Sequence, residues 1–240
     1  MQRITIAPHQ LQGSILTLTS EQSHYLQRVL RLQSGDLFII QDGQGRQWQA
    51  ALEPDGRQAS VVSQLEQRVR PPALELFAAL PKQGFDDVVR QATELGVTYI
   101  QPVISSRTLL KPRPAKLQRW QRIAQEASEQ CERGYVPCLE TPIEFSHLVG
   151  KPIGPVASYI CVARADVPSL LSLVQQQLVQ HPQRPIRLLI GPEGGWTAEE
   201  QQTAALGGWE KSSLGAAVLR ATTACVASLA VVMAAREQLR

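Results

Sequence analysis

The pattern of hydrophobic and polar positions changes character near Pro71. Before this point, short β-rich runs alternate with turns, at residues 3–7, on both sides of Asp42-Gly43, and at residues 58–67. The Asp-Gly pair between two such runs is typical of a hairpin. A helix is predicted to begin at Ser20, with this serine as its N-cap. The pattern favours a small β-rich module with one helix.

After Pro71, apolar runs and amphipathic segments alternate. Strands are predicted over residues 74–80, 97–105, 156–163 and 185–191, and helices over residues 85–96, 117–133, 167–180, 197–206 and 221–239. Gly96 is expected just past the end of its helix, and Pro168 in the first turn of its own. Nearly continuous apolar strands between helices predict a mostly parallel sheet, covered on both faces. The prolines at 71 and 72 mark the boundary between domains 1–71 and 72–240.

Composition narrows the class of protein. The chain has 240 residues, of which 43% are hydrophobic and only 5% aromatic, as expected for aliphatic α/β cores. A net charge of +3 and a pI of 8.8 are compatible with a polyanionic partner. The four cysteines form no CxxC pair and no zinc-ligand pattern, which favours reduced thiols and no metal. We expect no secretion signal and no membrane span, and therefore a cytoplasmic protein.

The stretch LLIGPEGGWTAEE, residues 188–200, is a candidate ligand loop because it follows a predicted strand. In open parallel sheets, ligands bind beyond the carboxyl ends of the strands. The loop lacks the Lys-Ser/Thr of a P-loop and the GxGxxG order of dinucleotide folds. Thr197 and Glu200 have the spacing of a capping box. Glu193 has no packing reason to be there, so it is either a simple turn residue or a ligand contact.

A second unusual stretch, SLGAAVLRATTA at residues 213–224, places Arg220 immediately before a predicted helix. The helix macrodipole disfavours a cation at this end. Arg220 is therefore expected to face an anionic group or a substrate, with a plain surface charge as the alternative.

These two stretches resemble the paired C-terminal motifs of the RsmE family, the 16S ribosomal RNA uridine-N3 methyltransferases of the SPOUT superfamily. Three further blocks are similar to family motifs in the same order: HYLQRVLRLQSGD at 24–36, LPKQGFDDVVRQATELGVTYIQPVISSRT at 80–108, and RWQRIAQEASEQCERGYVP at 119–137. The resemblance covers almost the whole chain. It departs from the pattern at Ala217 and Thr222, where the family has an arginine and a glutamate, whereas Arg220 is retained.

The resemblance implies the fold, the cofactor and the assembly. A C-terminal SPOUT α/β domain with a trefoil knot is expected over residues 72–240, and a small PUA-like β-barrel that binds RNA over residues 1–71. The implied methyl donor is S-adenosyl-L-methionine, and the implied assembly is a homodimer. The residues expected to bind the cofactor are Val162, Ala163, Ile190, Gly191, Glu193, Gly194, Gly195, Leu214, Gly215 and Leu219.

The implied reaction methylates N3 of a uridine near the 3′ end of 16S rRNA, within the small ribosomal subunit. The weakly acidic N3–H must be lost, so a cation should stabilise the resulting anion, and Arg220 is the candidate catalytic residue. No acidic residue lies between Glu94 and Glu126, which favours phosphate contacts in this basic region. The candidate RNA-binding residues are Arg3, Arg28, Arg31, Arg107, Lys111 and Arg113.

Two alternatives stay open. Ribose 2′-O methylation also uses knotted domains, although the N-terminal resemblance disfavours it. A non-catalytic RNA-binding protein of ribosome assembly is the other, because Ala217 and Thr222 depart from the family pattern.

Overall fold

The computed structural model describes residues 1–67, 69–109, 114–149 and 155–238. The chain forms two compact units, one of Met1–Pro71 with Gln125–Val136, the other of Pro72–Ala124 with Pro137–Arg240. The segment Gln125–Val136, expected in the second domain, thus clusters with the first unit.

The first unit contains a six-stranded sheet. Its strands are β1 (Arg3–Thr5), β2 (Leu11–Gln12), β3 (Ile15–Thr17), β4 (Leu37–Gln41), β5 (Gln47–Leu52) and β6 (Gln58–Gln64). They lie in the order β1-β4-β5-β6-β3-β2, and every pair is antiparallel except β1 with β4. The predicted hairpin is confirmed as β4–β5, with Gly43 at φ +71° in its turn. Alternate strand residues such as Phe38 and Ile40 are fully buried in the core of the unit.

The first helix, α1 (Ser20–His24), has its N-cap one residue earlier than predicted. The prediction of Ser20 as N-cap is wrong, because the hydroxyl of Thr19 accepts the Gln22 N–H at 3.2 Å. The Gln22 side chain accepts the Thr19 N–H at 2.9 Å, which completes a capping box. The helix then continues as a wider π turn over Tyr25–Val29.

The second unit contains a seven-stranded sheet. Its strands are β7 (Leu74–Ala79), β8 (Tyr99–Ile104), β9 (Cys138–Leu139), β10 (Ile143–Glu144), β11 (Ala157–Cys161), β12 (Ile186–Ile190) and β13 (Glu210–Ser212). The order is β10-β8-β7-β12-β11-β13, β9 also pairs with β8, and all pairs are parallel. The predicted parallel sheet is confirmed, whereas the trefoil knot stays a prediction. Strands β9, β10 and β13 were not predicted, because two or three residues are too few to show a period.

Six helices in the described part of the chain follow these strands. They are α2 (Phe85–Glu94), α3 (Pro114–Gln130), α4 (Phe145–Val149), α5 (Leu170–Gln180), α6 (Ala198–Leu206) and α7 (Ala221–Gln238). Helix α3 begins in the second unit, and its residues from Gln125 onward cluster with the first. Helix α7 packs against α2 and α5 and also against strands β7 and β12. Its buried face consists of Ala221, Cys225, Ser228, Leu229, Val232 and Ala235. No helix in the described part of the chain is long and apolar enough to cross a membrane.

Helix α5 corrects the prediction for Pro168. This proline precedes the helix, because Ser169 is the N-cap and its hydroxyl accepts the Ser172 N–H at 3.1 Å. The carbonyl of Pro168 accepts the Ser213 N–H at 2.9 Å, and the Leu170 N–H donates to the carbonyl of Ser213 at 2.8 Å. Ser169 therefore forms a parallel β-bridge with Ser213, and the helix begins directly after it, at Leu170.

Candidate active site

A cleft of about 250 Å³ opens where strands β11, β12 and β13 end. Since parallel strands end at one edge of a sheet, the loops that follow them meet there. Three loops form most of its wall, at residues 161–164, 190–196 and 214–219, and α7 adds Ala221 and Ala224. The structure brings all ten residues predicted to bind the cofactor to this wall: Val162, Ala163, Ile190, Gly191, Glu193, Gly194, Gly195, Leu214, Gly215 and Leu219.

The glycine-rich loop after β12 is tightly packed. A Cβ on Gly191 would lie 3.1 Å from the indole of Trp196, and one on Gly194 would lie 3.1 Å from Cδ of Arg107. Gly195 has φ +67°, in the left-handed region, and its N–H donates to the carbonyl of Pro192 at 2.8 Å. A side chain at Gly191 or Gly194 would force its neighbour to shift, and one at Gly195 would strain the backbone.

Glu193 links this loop to a distant segment. Its Oε1 accepts a hydrogen bond from the backbone N–H of Lys82 at 2.9 Å. Lys82 follows strand β7, which is the neighbour of β12 in the sheet. The carboxylate is exposed, so its second oxygen can still face a ligand. Neither predicted reading of Glu193 included this bond between two loops, since nothing in the local sequence signals a partner 111 residues away.

Glu200 makes the predicted capping box and one further bond. The Thr197 hydroxyl accepts the Glu200 N–H at 3.1 Å, and the Glu200 carboxylate accepts the Thr197 N–H at 2.9 Å. The other carboxylate oxygen accepts the backbone N–H of Ser106 at 2.9 Å, in the loop after β8. With only 6% of its surface exposed, Glu200 holds this loop against the start of α6.

Arg107, predicted to bind RNA, lies on the wall of the cleft. Its guanidinium donates to the carbonyl of Gly194 at 2.5 Å. The surrounding turn is fixed by the Ser105 N–H, which donates to the Thr108 hydroxyl at 2.9 Å. Arg107 is thus exposed, yet the turn restrains its backbone and the Gly194 carbonyl restrains its side chain.

Arg220 is exposed and immediately precedes α7, as predicted. Its neighbours Leu219 and Ala221 both line the cleft, although Arg220 lies outside the set of described lining residues. Ala217 is exposed on the cleft wall, whereas Thr222 lies next to Gly84. The two departures from the family pattern therefore sit in different surroundings.

The other predicted RNA contacts divide into three groups. Arg28 and Arg31 are exposed on the first unit, and Arg28 lines a wider cleft of about 760 Å³ together with His24 and Arg57. Arg3 is a correction: its side chain is only 5% exposed and lies 3.5 Å from the Glu132 carboxylate, so it packs inside the first unit. Lys111 and Arg113 lie outside the described residues.

One thiol belongs to the cleft. Cys161 lines it, with Sγ 3.6 Å from the hydroxyl of Ser212. Burial raises the pKa of the Cys161 thiol to about 11, and the Ser212 hydrogen bond opposes this rise. Burial, and then the proximity of Cys161, also raise the pKa of the Cys225 thiol. All four cysteines are free.

Comparison with protein families gives two matches along the chain. A family described as an RNA methyltransferase domain matches residues 69–233, and an RNA methyltransferase PUA domain matches residues 18–63. Ribosomal RNA small subunit methyltransferase E of Synechocystis sp. is 43% identical over 98% of this chain and 78% of its own length. The protein of the same name from Aquifex aeolicus is 28% identical over 92% of this chain and 95% of its own.

Two solved structures resemble the whole chain. One is a ribosomal RNA small subunit methyltransferase E from Neisseria gonorrhoeae bound to S-adenosyl methionine, with TM-score 0.83, 29% identity and coverage of 96% of this chain and 95% of that chain. The other is a putative methyltransferase from Legionella pneumophila in complex with the same cofactor, with TM-score 0.84, 28% identity and 97% coverage of both chains. The chain therefore belongs to the ribosomal RNA small subunit methyltransferase E family of RNA methyltransferases.

Proposed function

We propose that this protein transfers the methyl group of S-adenosyl-L-methionine to N3 of a uridine in 16S rRNA. The observation that carries the proposal is the single cleft lined by all ten residues assigned to the cofactor from sequence. Relatives with the methyltransferase name, and a related structure with the cofactor bound, support the same assignment.

The cleft suits the cofactor. Ile190, Leu214 and Leu219 offer an apolar slot for an adenine ring. A Cβ added at Gly195 or Gly215 would meet no described atom within 4 Å, so the backbone there borders open space that a ligand can fill. When bound, S-adenosyl-L-methionine supplies the electrophilic methyl group.

Arg220 is the residue we assign to the chemical step. Methylation at N3 requires the loss of a weakly acidic proton, and negative charge then develops on the uracil ring. A guanidinium placed at this charge stabilises the anion. Arg220 stands between two lining residues, Leu219 and Ala221, so its side chain can reach a base presented at the edge of the cleft.

RNA recognition is assigned to both domains. We assign residues 1–71 to a PUA-like RNA-binding domain and residues 72–240 to the methyltransferase domain, in agreement with the two family matches. Exposed Arg28 and Arg31 are candidates for phosphate contacts in the first, and Arg107 in the second. Lys111 and Arg113 stay candidates from sequence. The proposed substrate form is 16S rRNA within the small subunit, and the proposed assembly is a cytoplasmic homodimer.

The decisive experiment is nucleoside mapping. Small subunits from a strain that lacks the gene are incubated with the purified protein and labelled cofactor, and the 16S rRNA is digested to nucleosides. We expect labelled N3-methyluridine in the treated subunits. The untreated 16S rRNA of the deletion strain should lack N3-methyluridine. Labelled 2′-O-methyluridine would instead support ribose methylation. Persistence of N3-methyluridine in the deletion strain would contradict the proposal.

The non-catalytic alternative has its own test. Calorimetric titration of the protein with S-adenosyl-L-methionine should show one site per chain. No detectable binding would favour an RNA-binding assembly factor, in which Ala217 and Thr222 mark the loss of the catalytic site.

A further inference from the structure

Arg164 has a backbone conformation that its residue type rarely adopts. It lies in the loop after β11 with φ +57°, in the left-handed region. A side chain with a Cβ is disfavoured there, whereas glycine and asparagine adopt it more readily. The preference of residue types for the left-handed region therefore does not explain why position 164 is an arginine. Such outliers concentrate at binding and catalytic sites.

Arg164 belongs to the wall of the cleft. Arg164 is exposed and lines the wall together with Arg107, which comes from the separate loop after β8. Among the described lining residues, these two arginines are the cations and Glu193 is the anion. Glu193 already accepts the hydrogen bond of the Lys82 backbone. The wall thus carries one positive charge in excess, which favours an anionic ligand.

We propose that Arg164 and Arg107 together form an oxyanion site that holds a backbone phosphate of the RNA next to the target nucleotide. The inference rests on the proposed function and adds a substrate contact to it. Arginine presents a planar fork of donors that matches phosphate oxygens. Both arginines are exposed, so an RNA at the surface of the cleft is able to contact them. The carboxylate of S-adenosyl-L-methionine is the other oxyanion that this site could bind. Measuring RNA affinity and cofactor affinity separately distinguishes the phosphate from the carboxylate.

The two arginines differ in how they are held. The guanidinium of Arg107 donates to the Gly194 carbonyl, whereas Arg164 is distinguished by its left-handed backbone. A phosphate contact fixes the position of the nucleic acid and carries no base specificity. Arg164 therefore acts as a positioning residue that presents the target uridine to the methyl donor.

The test uses two substitutions of Arg164 in the full-length protein. Arg164→Asn removes the charge while retaining a residue that tolerates the left-handed region, and Arg164→Lys retains the charge without the fork. Small-subunit affinity is measured between about 50 and 200 mM KCl, cofactor affinity is measured by calorimetry, and turnover is followed in parallel. For Arg164→Asn we expect small-subunit binding to weaken roughly eightfold near 0.1 M salt, and the salt slope to fall by about one.

Cofactor affinity should change much less than RNA affinity, and the unfolding temperature should not fall, because asparagine adopts the left-handed region more readily than arginine. Arg164→Lys should recover part of the RNA affinity. Arg90→Ala is the matched control, because it removes an exposed arginine of the second unit that pairs with Asp87. Unchanged RNA affinity in Arg164→Asn would overturn the inference. Weaker cofactor binding at unchanged RNA affinity would overturn it in favour of the cofactor carboxylate. Turnover of the wild-type protein tests the proposed function separately, because the RNA affinity is measured without any methyl transfer.

Discussion

The carboxylate of Glu193 accepts the backbone N–H of Lys82 at 2.9 Å and so joins the loops that follow two adjacent parallel strands. The glycine-rich loop contributes several residues of the cleft wall, but glycines alone do not hold a loop in one conformation. A side-chain acceptor within the loop supplies that restraint. Glu193 is thus a positioning residue for the cleft.

Glutamine should replace Glu193 better than alanine does. Glu193→Gln retains an oxygen that can accept the Lys82 N–H, whereas Glu193→Ala loses the bond. A hydrogen bond to a charged group contributes about 1.5–3 kcal/mol, so we expect Glu193→Ala to weaken cofactor binding by roughly tenfold or more. Calorimetry on both variants checks this. Equal losses in the two variants would mean that the charge acts directly on a ligand.

Gly215 should be required for its conformation. It has φ +117°, and a Cβ there would meet no described atom within 4 Å, so any penalty in Gly215→Ala comes from the backbone. We expect a loss of stability of about 1 kcal/mol or more and weaker cofactor binding, because the shifted loop lines the cleft.

Gly35→Ala provides the matched control for Gly215→Ala. Gly35 has φ +88° and equally open surroundings, but it lies in the first unit. Its substitution should reduce stability to a similar extent, as measured by denaturant unfolding, and leave cofactor affinity unchanged. If both variants bind the cofactor normally, the conformation of the Gly215 loop does not govern the site.

Arg220→Ala should abolish turnover. If the guanidinium stabilises the uracil anion, kcat should fall by about 100-fold or more, as for other residues that stabilise developing charge. Cofactor affinity should stay within about twofold, because Arg220 lies outside the set of described lining residues. Single-turnover methylation and calorimetry measure the two effects. Lost cofactor binding with an intact chemical step would contradict the assigned role.

Native thiol reactivity should follow burial. At pH 8, alkylation should modify exposed Cys138 first and buried Cys225 only on unfolding. Half-buried Cys161 should react slowly, because its raised pKa of about 11 leaves little thiolate. Mass spectrometry after timed alkylation identifies the modified cysteines. Rapid modification of Cys161 in the native protein would mean that its thiol is accessible from the cleft.

Stability should depend on pH through the same thiol. Folding raises the pKa of Cys161 from an ordinary value of 9.0 to about 11, so the folded state holds this proton more tightly. Its contribution to stability is fully present below pH 9.0 and declines as the pH rises toward about 11. Cys161→Ala should show a shallower decline of the unfolding free energy across this window. An identical decline in both proteins would assign it to other groups.

Several features of the fold and of the site could be predicted from local sequence. Apolar periodicity predicted the parallel sheet, and the spacing of Thr197 and Glu200 predicted a cap that the structure contains. The resemblance to the RsmE family, carried by the motifs after strands β11, β12 and β13, implied the ten residues that line the cleft. Each of these signals lies within a few residues of its partner, or follows from the rule that parallel strands end at one edge.

The remaining features depend on residues that are distant in sequence. Arg3 was predicted to contact RNA, yet it is buried beside Glu132, and burial cannot be read from a single charged residue. The bonds from Glu193 to Lys82 and from Glu200 to Ser106 join segments 111 and 94 residues apart. The sequence by itself determined the parallel sheet, through its periodicity, and the three loops of the cleft, through motifs that resemble those of the family. The order of the strands came only from the structure. Only the tertiary structure decided which side chains hold those loops, because such contacts exist only once the strands are aligned.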